Sequence, residues 1–189
     1  MQQEYLLDTN AFFNLLKAMN PDSQSDHSLS ESLGKLISEK LSVSSITKVE
    51  IISVLGKYAR GTQGGPQKCN CRISPEGDLC QNSRYSEPRK KWSARKTKAW
   101  IQFINEILEG RSKLLNVEIE PFTQDTVSEA EKIILYALSN NFASMDAMIA
   151  ATAKIARTNK RDIVVVTSDK GLKACLGKCE IPYCDVFAV

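Results

Sequence analysis

Asp8, Glu50, Asp146 and Asp169 each border an apolar run, in "LLDTNAFFNLL", "VSSITKVEI", "SMDAMIAATA" and "VVVTSDKGL". Each has a plain local use. Asp8 with Thr9 and Asn10 suits a helix cap. Thr47 to Glu50 fits the T-x-x-E capping box, Ser144 suits a cap with Asp146 at N2, and Asp169 suits a cap or the positive end of a helix dipole. Their conjunction asks for more. Four carboxylates drawn to one place repel and raise one another's pKa values unless a cation neutralises them. Hard oxygen ligands with no histidine beside them suit Mg²⁺ or Mn²⁺, whereas zinc favours imidazole or thiolate. The single histidine, His27, lies in the polar stretch "NPDSQSDHS", which argues against a histidine-based triad.

The elements that must bring these acids together alternate strand and helix. "EYLL" reads as a first strand, followed by a helix over 9–19. A helix near 29–39 leads into a second strand, "KLSVSS", and from Ser45 the apolar positions Ile46, Val49, Ile52, Leu55 and Ala59 recur at helical spacing. Residues 61–88 hold four of the nine glycines and three of the six prolines, and read as a loop or insertion. A long helix is predicted over 89–109, with Gly110 as its stop. Then come a strand in "LLNVEI", helices over 124–139 and 144–157, and "DIVVVTSD", a continuous β-branched run of the kind buried in a parallel sheet. A short helix in "GLKACL" and a strand in "CDVFAV" finish the chain. The alternation predicts an α/β fold with a mainly parallel sheet. In such a sheet ligands sit outside the carboxyl ends of the strands, the edge to which all four acids map.

In order and near their spacing, these four stretches resemble the acidic motifs of the PIN-domain nucleases, most of all the VapC-type toxins of bacterial toxin–antitoxin pairs. The likeness covers Tyr5 to about Arg60 and Lys113 to the C-terminus. It implies a PIN-like α/β/α sandwich, a single domain over 1–189 with an insertion at about 61–98, and a metal-dependent ribonuclease. Its acids and Mg²⁺ or Mn²⁺ ligands would be Asp8, Glu50, Asp146 and Asp169, with Asn10, Thr47 and Ser168 as supporting polar groups. Asp8 and Asp146 are expected as direct ligands, with Glu50 and Asp169 acting through metal-bound water or positioning the attacking one. RNA and a small antitoxin are the implied partners, and a homodimer is a further assembly to test. Two other functions compete. One is a haloacid-dehalogenase-like phosphatase with Asp8 as nucleophile, weakened because Asn10 stands where that chemistry wants a second aspartate. The other is a PIN-like module that binds nucleic acid or protein without cleaving.

At 189 residues, 42% hydrophobic and 25% charged, the chain can bury one substantial core. No apolar run reaches the roughly 18 residues a membrane span needs, and the N-terminus lacks the features of a secretory signal, so a cytoplasmic location is expected. Charge is uneven. Between Arg60 and Lys98, ten Lys or Arg face three Asp or Glu, a local +7 that leaves −4 elsewhere. On a helix from Arg89, Lys91, Arg95 and Lys98 would form one basic stripe beside Trp92, a surface suited to single-stranded RNA. Cys69, Cys71 and Cys80 stand as C-x-C-x8-C, and Cys175, Cys179 and Cys184 as C-x3-C-x4-C. Neither matches the paired C-x2-C spacing of a strong zinc site, and structural zinc, a disulfide and free thiols remain alternatives.

Overall fold

The computed structural model describes residues 3–19, 34–63, 65–66, 85–86, 88–138 and 142–186. Seven strands are described: β1 (Glu4–Leu7), β2 (Lys40–Ser44), β3 (Gly65–Pro66), β4 (Tyr85–Ser86), β5 (Val117–Glu120), β6 (Ile163–Val166) and β7 (Tyr183–Cys184); β3 and β4 pair with each other, and the other five form one sheet ordered β5-β2-β1-β6-β7. Every pairing in that five-stranded sheet is parallel, as the β-branched run of β6 anticipates. Six α-helices are described: α1 (Thr9–Met19), α2 (Ser45–Arg60), α3 (Ala94–Leu108), α4 (Gln124–Ile133), α5 (Ser144–Thr158) and α6 (Lys170–Lys178). The helix expected over 29–39 is described only from its end, where Lys35–Ser38 form a 3-10 turn. The helix expected to reach Ser139 breaks after Ile133 into a 3-10 turn over Ile134–Leu138.

Because side chains alternate across a strand, the sheet feeds two cores. Leu7, Val43 and Val166 point to one face and pack with Phe12, Phe13, Leu16, Ile51, Leu55, Ile104 and Ile107 of α1, α2 and α3. Leu6, Ile163 and Val165 point to the other and pack with α4, α5 and α6. The result is the three-layer α/β/α sandwich predicted. Each fully buried Leu, Ile or Phe contributes roughly 1.5–3 kcal/mol of transfer free energy. In α5 the inward positions are Ala147, Ala150, Ala151 and Ala153, all at most 1% exposed, and these small side chains let the helix lie close to the sheet.

The strand order fixes where a ligand can sit. The helix after β1 covers one face and the helix after β6 covers the other, although β1 and β6 are neighbours. The carboxyl ends of these two strands therefore open into a crevice between diverging connections. Asp8 follows β1, and Thr167, Ser168 and Asp169 follow β6.

The stretch expected as an insertion has an ordered base. Thr62 pairs with Arg89, Gly65 with Ser86 and Pro66 with Tyr85, all antiparallel and in one register, so its two arms rise as a ribbon rather than a loop. Its Cys69, Cys71 and Cys80 lie outside the described residues. Helix α3 consequently starts five residues later than predicted. Arg89 exchanges two 2.9 Å backbone hydrogen bonds with Thr62, the Trp92 N–H donates to the Ala59 carbonyl at 3.0 Å, and Ser93 caps the helix by accepting from the Lys96 N–H at 3.2 Å. Aromatic stacking ties this base to the core: Trp92 lies 5.6 Å from Trp100, and Trp100 lies 6.0 Å from Phe13.

Gly61 makes the turn into the ribbon at φ +69°, and an added Cβ would stand 2.3 Å from the Arg89 carbonyl oxygen. Gly61→Ala therefore meets both a left-handed backbone and a backbone collision. It is expected to destabilise the protein by roughly 1–3 kcal/mol, read as a lowered urea midpoint. An unchanged midpoint would mean that the ribbon base moves without cost.

Candidate functional site

Asp8, Glu50, Asp146 and Asp169 line one cleft of about 170 Å³. Local sequence explains how each arrives there. Asp8 is the residue before α1, and its Oδ1 accepts the Ala11 N–H at 2.5 Å, so the cap reading of "LLDTN" holds while the same side chain faces the cleft. Asp169 caps α6, its Oδ1 accepting from the Leu172 N–H at 2.8 Å. Asp146 lies in the first turn of α5 and accepts from the Ala143 N–H at 2.8 Å; Ser144 is not the cap but the first helical residue. Glu50 lies in the second turn of α2 and accepts from the Thr9 hydroxyl at 2.5 Å. The positive ends of α1, α5 and α6 thus face a concentration of negative charge, which offsets part of its self-repulsion.

The other supporting residues divide. Asn10 lines the cleft. Thr47 is fully buried outside it: Ser44, not Thr47, caps α2, and accepts from the Thr47 N–H at 3.4 Å, so the T-x-x-E capping box does not form. Ser168 turns away and donates to Asp185 at 3.3 Å, while Lys173 donates to the other oxygen of Asp185. Its neighbour Thr167, which sequence reasoning passed over, is 0% exposed and makes the central connection. The Thr167 hydroxyl donates to Asp8 Oδ2 and accepts the Asp169 N–H at 3.0 Å. A threonine at the end of a β-branched run looks like one more strand residue, and nothing local marked it. Thr9, read from sequence only as part of a helix cap, and Lys57, not read as a site residue at all, also line the cleft.

Burial decides the electrostatics of Asp8. At 3% exposure it loses most of its hydration, which pushes its carboxyl up to about 6. The charges of Asp169 and Asp146 push the same way, and the Ala11 N–H and Thr167 hydroxyl push against it. Asp146 is likewise raised, first by burial and then by the charges of Asp169 and Glu50, with the Ala143 N–H opposing.

The four carboxylates share the cleft without meeting at one point. Among the described residues, no three His, Cys, Asp or Glu side chains are placed to hold a metal ion together. Each acid has an oxygen turned to a protein donor instead. The donor set still fits a hard divalent cation, being all oxygen, with its most buried member reluctant to ionise until positive charge arrives. The C-terminal cysteines have a different character. Cys175, Cys179 and Cys184 are free thiols, and burial pushes the Cys175 thiol up to about 12, so it packs as a small hydrophobe in α6 rather than as a ready thiolate ligand. The disulfide alternative fails for these three.

The basic positions of the ribbon base are exposed, but not as one helical stripe. Lys91 precedes α3, and only Arg95 and Lys98 lie on it. Trp100 is 5% exposed and belongs to the core, whereas Trp92 is half-buried with the Lys96 ammonium 4.9 Å over its ring. Among the described residues no helix is long and apolar enough to cross a membrane.

The PIN domain family model matches residues 5–175, and the chain belongs to that family. PIN domains are generally nucleases and usually use divalent metal ions such as Mg²⁺, which disfavours the phosphatase alternative. Among solved structures the chain is similar to FitAcB from Neisseria gonorrhoeae, with a TM-score of 0.56 and 19% identity over 98% of this chain and 99% of that one. It is also similar to VapBC2 from Rickettsia felis, solved bound to a DNA fragment from their promoter, with a TM-score of 0.50 and 13% identity over 96% and 98% of the two chains. At these identities the likeness defines the fold. Comparison with curated proteins gives no match.

Proposed function

We propose that this chain is a divalent-metal-dependent ribonuclease that hydrolyses RNA phosphodiester bonds, acting in the cytoplasm as the toxin of a toxin–antitoxin pair. The observation that carries the reading is the meeting of Asp8, Glu50, Asp146 and Asp169 in one cleft, in a chain of a family of nucleases. Asp8 and Asp146 would hold Mg²⁺ or Mn²⁺ directly, and Glu50 and Asp169 would act through water or orient the attacking one. The chemistry supplied by such an ion, when bound, would be to offset the charge of the phosphodiester and to make a water nucleophilic. Thr167 keeps Asp8 and Asp169 in register, Thr9 fixes Glu50, and Asn10 offers its amide to the entering strand. Thr47 and Ser168 act at one remove, through the start of α2 and through Asp185.

Purified protein incubated with RNA in Mg²⁺, Mn²⁺ or EDTA tests this. Cleavage that requires metal supports the reading, and intact RNA in all three conditions overturns it. The second reading, a binding module without catalysis, has one observation in its favour: the carboxylates are engaged with protein donors, and no metal cluster is preformed among the described residues. It requires RNA or protein binding without metal-dependent cleavage. Likeness to FitAcB and VapBC2 supports an antitoxin as the protein partner, its Arg or Lys entering the cleft to offset the repulsion that the cation otherwise offsets. A neighbouring gene for a small antitoxin is the corresponding genetic result, and a homodimer is testable by sedimentation.

Lys91, Arg95 and Lys98 are proposed as part of the RNA-binding surface. Their triple reversal to Glu is expected to weaken binding by about tenfold or more and to flatten its salt dependence, because fewer counterions are released from the phosphates. Affinity and salt slope measured by fluorescence anisotropy decide it. If both are unchanged, the ribbon base is only a solvated surface.

A further inference from the structure

A nuclease cleft lined by four carboxylates repels the polyanion it must admit. One cation among the described residues lines the same cleft, Lys57 of α2. It stands seven residues after Glu50 with Val54 between them, by steps of four and three, so all three side chains share the helix face that walls the cleft. Although four acids stand around the cleft, the Lys57 ammonium makes no ion pair or hydrogen bond with any described residue. An exposed ammonium has three donors and a long flexible stem, and here no described residue takes any of the three.

Beyond Lys57 the wall continues into cationic surface. Arg60 ends α2, Gly61 turns the chain, and Arg89, Lys90 and Lys91 follow on the opposite arm of the ribbon base, all of these side chains exposed. A strand whose scissile phosphate lies among the carboxylates, and whose next phosphates follow this wall, passes Lys57 first.

We propose that Lys57 is a substrate-binding residue of the cleft that holds a backbone phosphate adjacent to the scissile one, and so sets the direction in which the nucleic acid leaves toward the ribbon. The inference rests on the nuclease reading for the identity of the scissile group, but not for the contact itself. A lysine contact of this kind reads phosphate rather than base or sugar.

The test uses the full chain and a fluorescent single-stranded RNA oligomer of mixed sequence, beside a DNA oligomer of the same sequence. Binding is measured in a D8N background so that the probe survives. Lys57→Ala is expected to weaken binding of both probes about tenfold. It should also lower the slope of log affinity against log salt by about 0.7, the loss of one phosphate contact on a single strand. Lys57→Arg should restore most of the affinity, and Lys57→Glu should lose more than Lys57→Ala. In the active background, Lys57→Ala should raise KM about tenfold with kcat within about threefold. Its Mg²⁺ midpoint should stay at the wild-type value.

A tighter Mg²⁺ midpoint with unchanged RNA affinity would overturn the proposal and make Lys57 a counter-ion of the carboxylates. A loss confined to the RNA probe would overturn the phosphate contact. Wild-type protein that binds RNA without cleaving it would overturn the nuclease reading, and the same affinity ratios would still decide Lys57. Wild-type protein that binds neither probe would overturn both.

Discussion

Asp8→Asn is expected to abolish RNA cleavage while making the metal-free protein more stable. The loss should be on the order of 100-fold or more, since even residues that only support a metal ligand typically cost 10–100-fold when removed. The gain comes from burial. An ordinary aspartate titrates near about 3.9, whereas Asp8 is pushed up to about 6, so ionising it in the folded chain costs about 3 kcal/mol more than in the unfolded one. Because the folded value is the higher, this cost is absent below about pH 4, grows as pH rises through about 6, and is complete above it. Asparagine has no such cost. It keeps an oxygen for the Ala11 N–H and can donate its amide to the Thr167 hydroxyl. Thermal melts in EDTA should therefore show Asp8→Asn above wild type by roughly 1–3 kcal/mol at pH 8 and level with it near pH 4. Added Mg²⁺ should raise the wild-type melt and not the variant's. A variant that still cleaves at the wild-type rate removes Asp8 from the site, and melts that coincide at both pH values remove the burial argument.

Thr167→Val should damage the site from beneath it. The side chain keeps its shape but loses the hydroxyl that donates to Asp8 Oδ2 and accepts from the Asp169 N–H, in a place with no exposure. Leaving buried polar groups unpaired costs roughly 1–3 kcal/mol of stability. The hydroxyl also favours the charged form of Asp8, so its removal moves the Asp8 carboxyl further up. The pH needed for half-maximal cleavage and the Mg²⁺ needed at a given pH should both rise, which loss of stability alone would not produce. Thr167→Ser restores the hydroxyl and should recover both midpoints. If Thr167→Val lowers only the melting temperature, Thr167 is a packing residue and the bridge between the two aspartates has no functional consequence.

Much of this molecule is written locally in its chain. The β-branched run 163–166 reads as a buried strand, the small-residue face of "DAMIAATA" reads as a helix side that packs closely, and caps before Ala11 and Leu172 place helix starts just after Asp8 and Asp169. Those signals live within a few residues of one another, so sequence alone determined the α/β class, nearly all element positions and which acids reach the strand edge. What passes between distant segments was decided only by the tertiary structure. Thr62 and Arg89 pair across 27 positions, shorten α3 and remove Lys91 from its helical face, an outcome that helical periodicity after Arg89 cannot foresee. Thr167 becomes the bridge between Asp8 and Asp169 because β1 and β6 lie side by side in register, although 159 positions separate the hydroxyl from the Asp8 carboxylate. Lys57 joins the cleft because two turns of α2 carry it along the same wall as Glu50. Residue types specify what a side chain can do near its own backbone. Strand order and helix direction decide which of those side chains, far apart in the chain, share one desolvated space.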